Sequence, residues 1–279
     1  MAASNIIVIS LVNHCHVFPK GLFSNLSGGN EEDKGTLAHL KSYMKETGIS
    51  KAVIFPPFPH FCKKIDTNAW LAEQIKNEPQ FIGFANIDPK QVDSVQKLKK
   101  TFESGLRGVK IHPPILKTRI DDRRNFCFYE KAEELGLPIL FHTGVHGWEL
   151  ESYRPLLIDK IAQTFPELNI IIEHLGGEAF FNEALAVLQN NSNTYAGITT
   201  TLLPILESEW NPWYQGTERI KMVLRQIGEN RVIYGTDFPY NDAAITHREI
   251  EIIKNLELNN ETKNKILGGN LKKLLRLPL

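Results

Sequence analysis

The chain has 279 residues, 42% hydrophobic and 23% charged, which is enough apolar material for a sizeable core and argues against disorder. Lysine plus arginine and aspartate plus glutamate each number 32, so the formal net charge is zero and the basic excess of a general nucleic-acid-binding surface is missing. Three cysteines (Cys15, Cys62, Cys127) without C-x-x-C spacing are too few for a disulfide scaffold, and no stretch reaches the roughly 20 apolar residues of a membrane span.

In chain order, short apolar runs occupy Ile6–Val12, Ala52–Phe55, Phe81–Asn86, Gly108–His112, Pro138–His142, Ile170–His174, Thr194–Thr199 and Val232–Thr236. Continuous apolar runs of this length suit strands buried on both faces, as in a parallel sheet. Helical periodicity fills the gaps. Asp66 is placed to cap a helix carrying Trp70, Leu71 and Ile75. Val92, Val95, Leu98 and Phe102 form an apolar stripe stopped by Gly105, and Phe128, Ala132 and Leu135 form another closed by Gly136. The unbroken alternation predicts an α/β fold, a single-domain (β/α)8 TIM barrel over residues 1–279 with a C-terminal helix. A doubly wound open sheet would want a Gly-rich phosphate loop after its first strand. Gly28-Gly29 lies instead in the acidic loop SNLSGGNEEDKG.

Five of the nine histidines (His14, His16, His112, His142, His174) fall at the C-terminal ends of these strands, the face on which barrel active sites form. Lys110 and His142 are 32 residues apart, as are His142 and His174, and Asp237 follows His174 by 63. One βα unit of an eight-fold barrel is about 31 residues. These side chains therefore mark strand tips that converge over one mouth. Period-2 alternation puts His14 and His16 on one face and sends Cys15 and Asn13 the other way. Two imidazoles from the first strand, a third from the fifth and a carboxylate from the eighth suit one divalent ion, zinc in preference to manganese. Taken singly, each residue also has an ordinary reading. Asp237 would steady a turn before Pro239, and Lys110 would be a barrel-interior lysine paired with a carboxylate. His146 and Trp148, just past the fifth strand, are expected at the pocket, and Trp210, Trp213 and Tyr214 in the loop after the seventh strand are candidates for its wall. The reading implies a small-molecule substrate, a cytoplasmic setting, and neither nucleic-acid nor membrane partners.

The segments VNHCHVFP (Val12–Pro19), GLRGVKIHP (Gly105–Pro113), LPILFHTG (Leu137–Gly144), IIIEHLGG (Ile170–Gly177), VIYGTDFP (Val232–Pro239) and ILGGNLKKLL (Ile266–Leu275), all in order, resemble the amidohydrolase superfamily, in particular its amidohydrolase-related branch of hydrolases, lactonases and decarboxylases. The resemblance implies a barrel holding a single divalent metal. His14, His16, His142 and Asp237 would be the ligands, and Asp237 also the general base. His174 would polarise the substrate or steady a water. Val12 stands where the family often has an aspartate. Lys110 aligns with the bridging lysine of binuclear members and is read here as a pocket cation for a substrate carboxylate. The expected activity is metal-dependent hydrolysis of a C–N or C–O bond (amide, lactone or ester) in a small, carboxylate-bearing substrate. The alternatives are non-oxidative decarboxylation of an aromatic or unsaturated acid, or a metal-independent lactonase in which Lys110 and Arg119 anchor an anion. A homodimer is common in the branch.

Overall fold

The structure, a computed structural model, describes residues 7–63, 65–206 and 209–277. Eight strand positions run parallel around a barrel. They are β1 (Val12–His16), β2 (Ala52–Phe55), β3 in two segments (Phe81–Gly83 and Ala85–Asn86), β4 (Val109–Ile111), β5 (Ile139–His142), β6 (Ile170–Glu173), β7 (Thr194–Gly197) and β8 in two segments (Val232–Ile233 and Gly235–Phe238). β1 pairs with β2 on one side and with β8 on the other, so the last strand closes on the first.

Burial follows the pleat. Ala52, Ile54, Val109, Ile111, Ile139, Phe141, Ile170 and Ile172 pack outward against the helices. Val53, Phe55, Leu140, Ile171 and Ile233 form a separate inner cluster. Leu11 and, from the C-terminal helix Asn270–Leu274, Leu271 and Leu274 complete that inner cluster at the N-terminal end of the strands.

The first strand starts later than its apolar run suggests. Residues 7–11 form the approach beneath the barrel, and Ile6 lies outside the described residues. Leu11 is fully buried in the floor, and the amide of Ser10 donates to the Leu267 carbonyl at 3.1 Å. The pairing with β2 begins only at Val12, which places both histidines inside the strand.

Asp66 caps helix Thr67–Ile75 as expected, its carboxylate accepting from the amides of Asn68 and Ala69 at 3.1 Å each. Helix Ser94–Glu103 buries Ser94, Leu98 and Thr101, an i, i+4, i+7 face. The stripe read from sequence is rotated from this. Val92 precedes the helix and is fully exposed, and Phe102 is 42% exposed. Among the described residues no helix is long and apolar enough to cross a membrane.

Candidate active site

Strand parity delivers the floor of the site. Two residues beyond inward-facing Leu140 stands His142, and two beyond Ile171 stands Glu173. Lys110, between outward-facing Val109 and Ile111, points inward and is fully buried. β1 breaks parity. Its register slips between Asn13 and Cys15 against β8 and between Val12 and Cys15 against β2, and His14 adopts a left-handed φ of 65°. This bulge turns Asn13, His14 and His16 all inward, and only Cys15 faces out, its Sγ 3.2 Å from the Thr236 hydroxyl. Asn13 therefore does not face away, as simple alternation would have it. His174, Thr200 and Asp237 share the left-handed backbone, with φ between 59° and 62°. Such conformations cost a non-glycine residue about 1–3 kcal/mol, and here they collect around one cavity.

His14 Nε2 and His16 Nε2 lie 3.0 Å apart, and Asp237 Oδ1 is 3.5 and 3.6 Å from them. Below them is a buried charge network that sequence reasoning missed. Glu173 Oε2 accepts from Asn13 Nδ2 at 2.5 Å and stands 3.2 Å from His14 Nδ1. Its Oε1 accepts from the amides of His174 and Thr199 at 3.3 and 3.4 Å. Gly197 makes room for this carboxylate, because a Cβ there would lie 2.3 Å from Oε1. Lys110 Nζ reaches His14 Nε2 at 3.1 Å. Lys110 thus takes the place under the floor that its ordinary reading offered. It is balanced by the Glu173 and Asp237 carboxylates and does not project into the cavity as a substrate-binding cation.

Burial, followed by the Lys110 charge, holds His14 and His16 well below the usual imidazole range. His142 is lowered mainly by burial and then by the neighbouring His112 and His174. His174 is pushed down to about 3 by burial, then Lys110. These imidazoles are therefore neutral near neutral pH. Burial raises the Asp237 carboxyl against the opposing pull of Lys110, with Glu173 adding to the rise. His174 Nδ1 is 2.9 Å from the Thr199 carbonyl, which can only accept. The ring proton is therefore on Nδ1, and Nε2 is an acceptor. Neutral in this tautomer, His174 does not supply the donor needed to polarise a substrate carbonyl.

His142 falls into a second group. Its ligating nitrogen and those of His112 and His146 lie within 4.8 Å of one another, as do the ligand atoms of His14, His16 and Asp237 in the first group. The His112 and His142 rings are stacked, with centroids 3.9 Å apart and planes 11° from parallel. A ligand nitrogen binds an ion in its ring plane, so two stacked rings aim their lone pairs side by side and not at one point. His142 Nε2 is buried and has no hydrogen-bond partner. The group of two neutral imidazoles and a carboxylate, with that unmet atom lining the same cavity, fits a divalent ion with borderline nitrogen and oxygen preference.

The histidines and Asp237 line a cavity of about 490 Å³ at the C-terminal ends of the strands, walled by Phe58, Ile115, Trp210, Trp213, Tyr240 and Asn241. Trp213 stacks on His174 at 5.0 Å and meets His142 edge-on at 5.1 Å. It rests on Gly144 (φ 102°), where a Cβ would lie 2.5 Å from the indole. His146 reaches the cavity, as expected. Trp148 does not line it, because its indole stacks on Tyr153 at 6.1 Å. Arg119 is paired with Asp121 at 2.7 Å and is not in the lining either. A larger cavity of about 630 Å³ lies outside the barrel wall, between helices Thr67–Ile75 and Ser94–Glu103, away from both ligand groups.

A closed parallel barrel with six of its histidines and an aspartate gathered on one cavity at the strand ends defines the (β/α)8 class, in which active sites form at that face. The chain belongs to the amidohydrolase family, whose model matches residues 14–277. It is 25% identical over 242 residues to 2-amino-3-carboxymuconate-6-semialdehyde decarboxylase of Dictyostelium discoideum, covering 75% of this chain and 65% of that protein. It is 27% identical over 202 residues to dihydroorotase of Helicobacter pylori (strain HPAG1), covering 63% of this chain and 58% of that one. The matches span less than two thirds of either relative. In fold it is similar to a TIM-barrel protein from Bordetella bronchiseptica (TM-score 0.75, 20% identity, 95% of this chain and 98% of that one). It is also similar to a dihydroxybenzoic acid decarboxylase from Polaromonas sp. JS666 solved with bound manganese (TM-score 0.69, 15% identity, 95% and 96%). The family holds hydrolases and decarboxylases, all acting on small molecules where their names say so.

Proposed function

We propose that this chain is a metal-dependent hydrolase that cleaves a C–N or C–O bond of a small substrate. The observation that carries the reading is the cluster of His14, His16 and Asp237, with the unpartnered His142 Nε2 on the same cavity and no lysine or arginine among the described lining residues. These four side chains would hold the ion, zinc in preference to manganese, which would serve as a Lewis acid for a carbonyl and for water. Asp237, its carboxyl raised toward neutrality by burial, takes the proton of the attacking water and passes it to the leaving nitrogen or oxygen. His174 presents Nε2 as an acceptor and orients that water. Glu173 stands beside His14 Nδ1 and favours the tautomer protonated there, which makes Nε2 the acceptor.

Decarboxylation is the competing reaction, supported by the Dictyostelium relative's name. Among the described lining residues of the cavity there is no lysine or arginine to hold a second acid group away from the ion, and Lys110 is buried beneath His14. The test is a paired assay of the purified protein on esters, lactones and amides, and on aromatic and unsaturated carboxylic acids with CO₂ release as the readout. Hydrolysis that falls by at least about 100-fold in Asp237→Asn is expected. CO₂ release without hydrolysis would overturn the reading.

A further inference from the structure

The outer half of the same cavity has a chemistry of its own. Trp210 and Tyr240 both line it, yet are 58% and 55% exposed. Trp210 lies on a small antiparallel hairpin, Ile205–Leu206 paired with Glu209–Trp210, that stands over the mouth. Its indole nitrogen donates to Glu178 Oε2 at 3.2 Å, which fixes the ring and places a carboxylate at its edge. Tyr240 is braced edge-on by His16 at 5.6 Å and by Phe23 at 5.3 Å. Among the described lining residues are two acids, Glu209 on the hairpin and Asp237 at the floor, and no lysine or arginine. His112 and His146 line the same cavity.

An anionic group placed here would meet Glu209 and the negative faces of aromatic rings, with no counter-ion. A cationic group would find a carboxylate and two aromatic side chains lining one cavity, the residue types that recognise ammonium groups elsewhere. We propose that the site takes a substrate whose reacting end faces His14, His16 and Asp237, and whose other end is a flat group carrying a cationic nitrogen, held by Glu209, Trp210 and Tyr240. The proposal rests on the hydrolase reading only for which end of the substrate points inward. It reverses the expectation of a carboxylate-bearing substrate drawn from sequence.

The test is calorimetric titration of the purified protein with three unreactive probes of one size: benzyltrimethylammonium, benzyl alcohol and benzenesulfonate. The cation is expected to bind roughly tenfold or more tightly than the sulfonate, with the alcohol between them. Glu209→Gln should shrink that ratio several-fold and leave benzyl alcohol unchanged, and Trp210→Ala should weaken the cation most. Glu209 and Trp210 are both exposed, so these variants leave the core intact. Equal or tighter binding of the sulfonate, no binding of the cation, or a ratio unmoved by Glu209→Gln would overturn the proposal. None of the probes is cleaved, so a protein that prefers the cation but hydrolyses nothing would remove the hydrolase reading and keep this one.

Discussion

Glu173 shows how much of the site one residue organises. Its carboxylate accepts from Asn13 and from the amides of His174 and Thr199, stands 3.2 Å from His14 Nδ1, and balances Lys110 without touching the cavity surface. Partners of this kind set the tautomer and orientation of a ligand histidine, and their loss commonly costs 10–100-fold in metal affinity. Glu173→Gln is therefore expected to weaken zinc binding by about 10–100-fold in chelator competition while the far-ultraviolet circular dichroism stays native. Unchanged affinity would show that the carboxylate only fills space. The residue was within reach of the sequence. A lone acid in the run IIIEH shares the parity of Ile171, so counting by twos places it inside, whereas attention to histidines at strand ends passes over it. His14 was legible as a site residue, but the bulge that turns Asn13 inward was not, since a left-handed φ at a histidine carries no mark in sequence.

Among the elements, strands and capped helices were readable because their physics is local. Apolar runs marked β2 and β4–β7, and Asp66 marked a helix start. The hairpin over the mouth was not readable. Two-residue strands have no periodicity, and their placement depends on the Trp210–Glu178 bond and on the Asn211 side chain, which donates to the carbonyls of Thr200 and Leu203 at 2.6 and 2.8 Å. The first strand was set too early because Leu11 is as apolar as a strand residue yet belongs to the floor. That floor makes its own prediction. Leu271 is fully buried with Leu11 and Ile233 at the end of the barrel opposite the site. Leu271→Ala should cost about 2–5 kcal/mol of stability in denaturant titration and leave kcat unchanged at temperatures where the protein is folded. A kcat loss at full folding would mean that floor and mouth are coupled.

For the whole molecule, overall charge neutrality hides acids buried at the barrel wall. Glu249, on helix Ala243–Asn255, accepts from the Leu202 amide at 3.1 Å and the Tyr234 hydroxyl at 3.3 Å, and burial pushes its carboxyl up to about 8. The folded protein therefore keeps a proton that the unfolded chain releases above an ordinary value of 4.5. This group's contribution to stability is full below pH 4.5, declines as the pH rises toward 8, and is level above. Glu249→Gln should raise stability at pH 8 relative to wild type by more than at pH 5, read from urea midpoints at the two pH values. An equal change at both would contradict a raised carboxyl. The closed barrel was legible as a whole because its repeat sets the spacing of Lys110, His142 and His174. The proposed activity rests on a metal held by His14, His16, His142 and Asp237. Elemental analysis of the purified protein, before and after chelation and beside His142→Ala, tests that claim most directly. The account predicts about one equivalent of zinc or manganese per chain, removable by chelator and lost in the variant. No metal after reconstitution, or full metal content in His142→Ala, would contradict it.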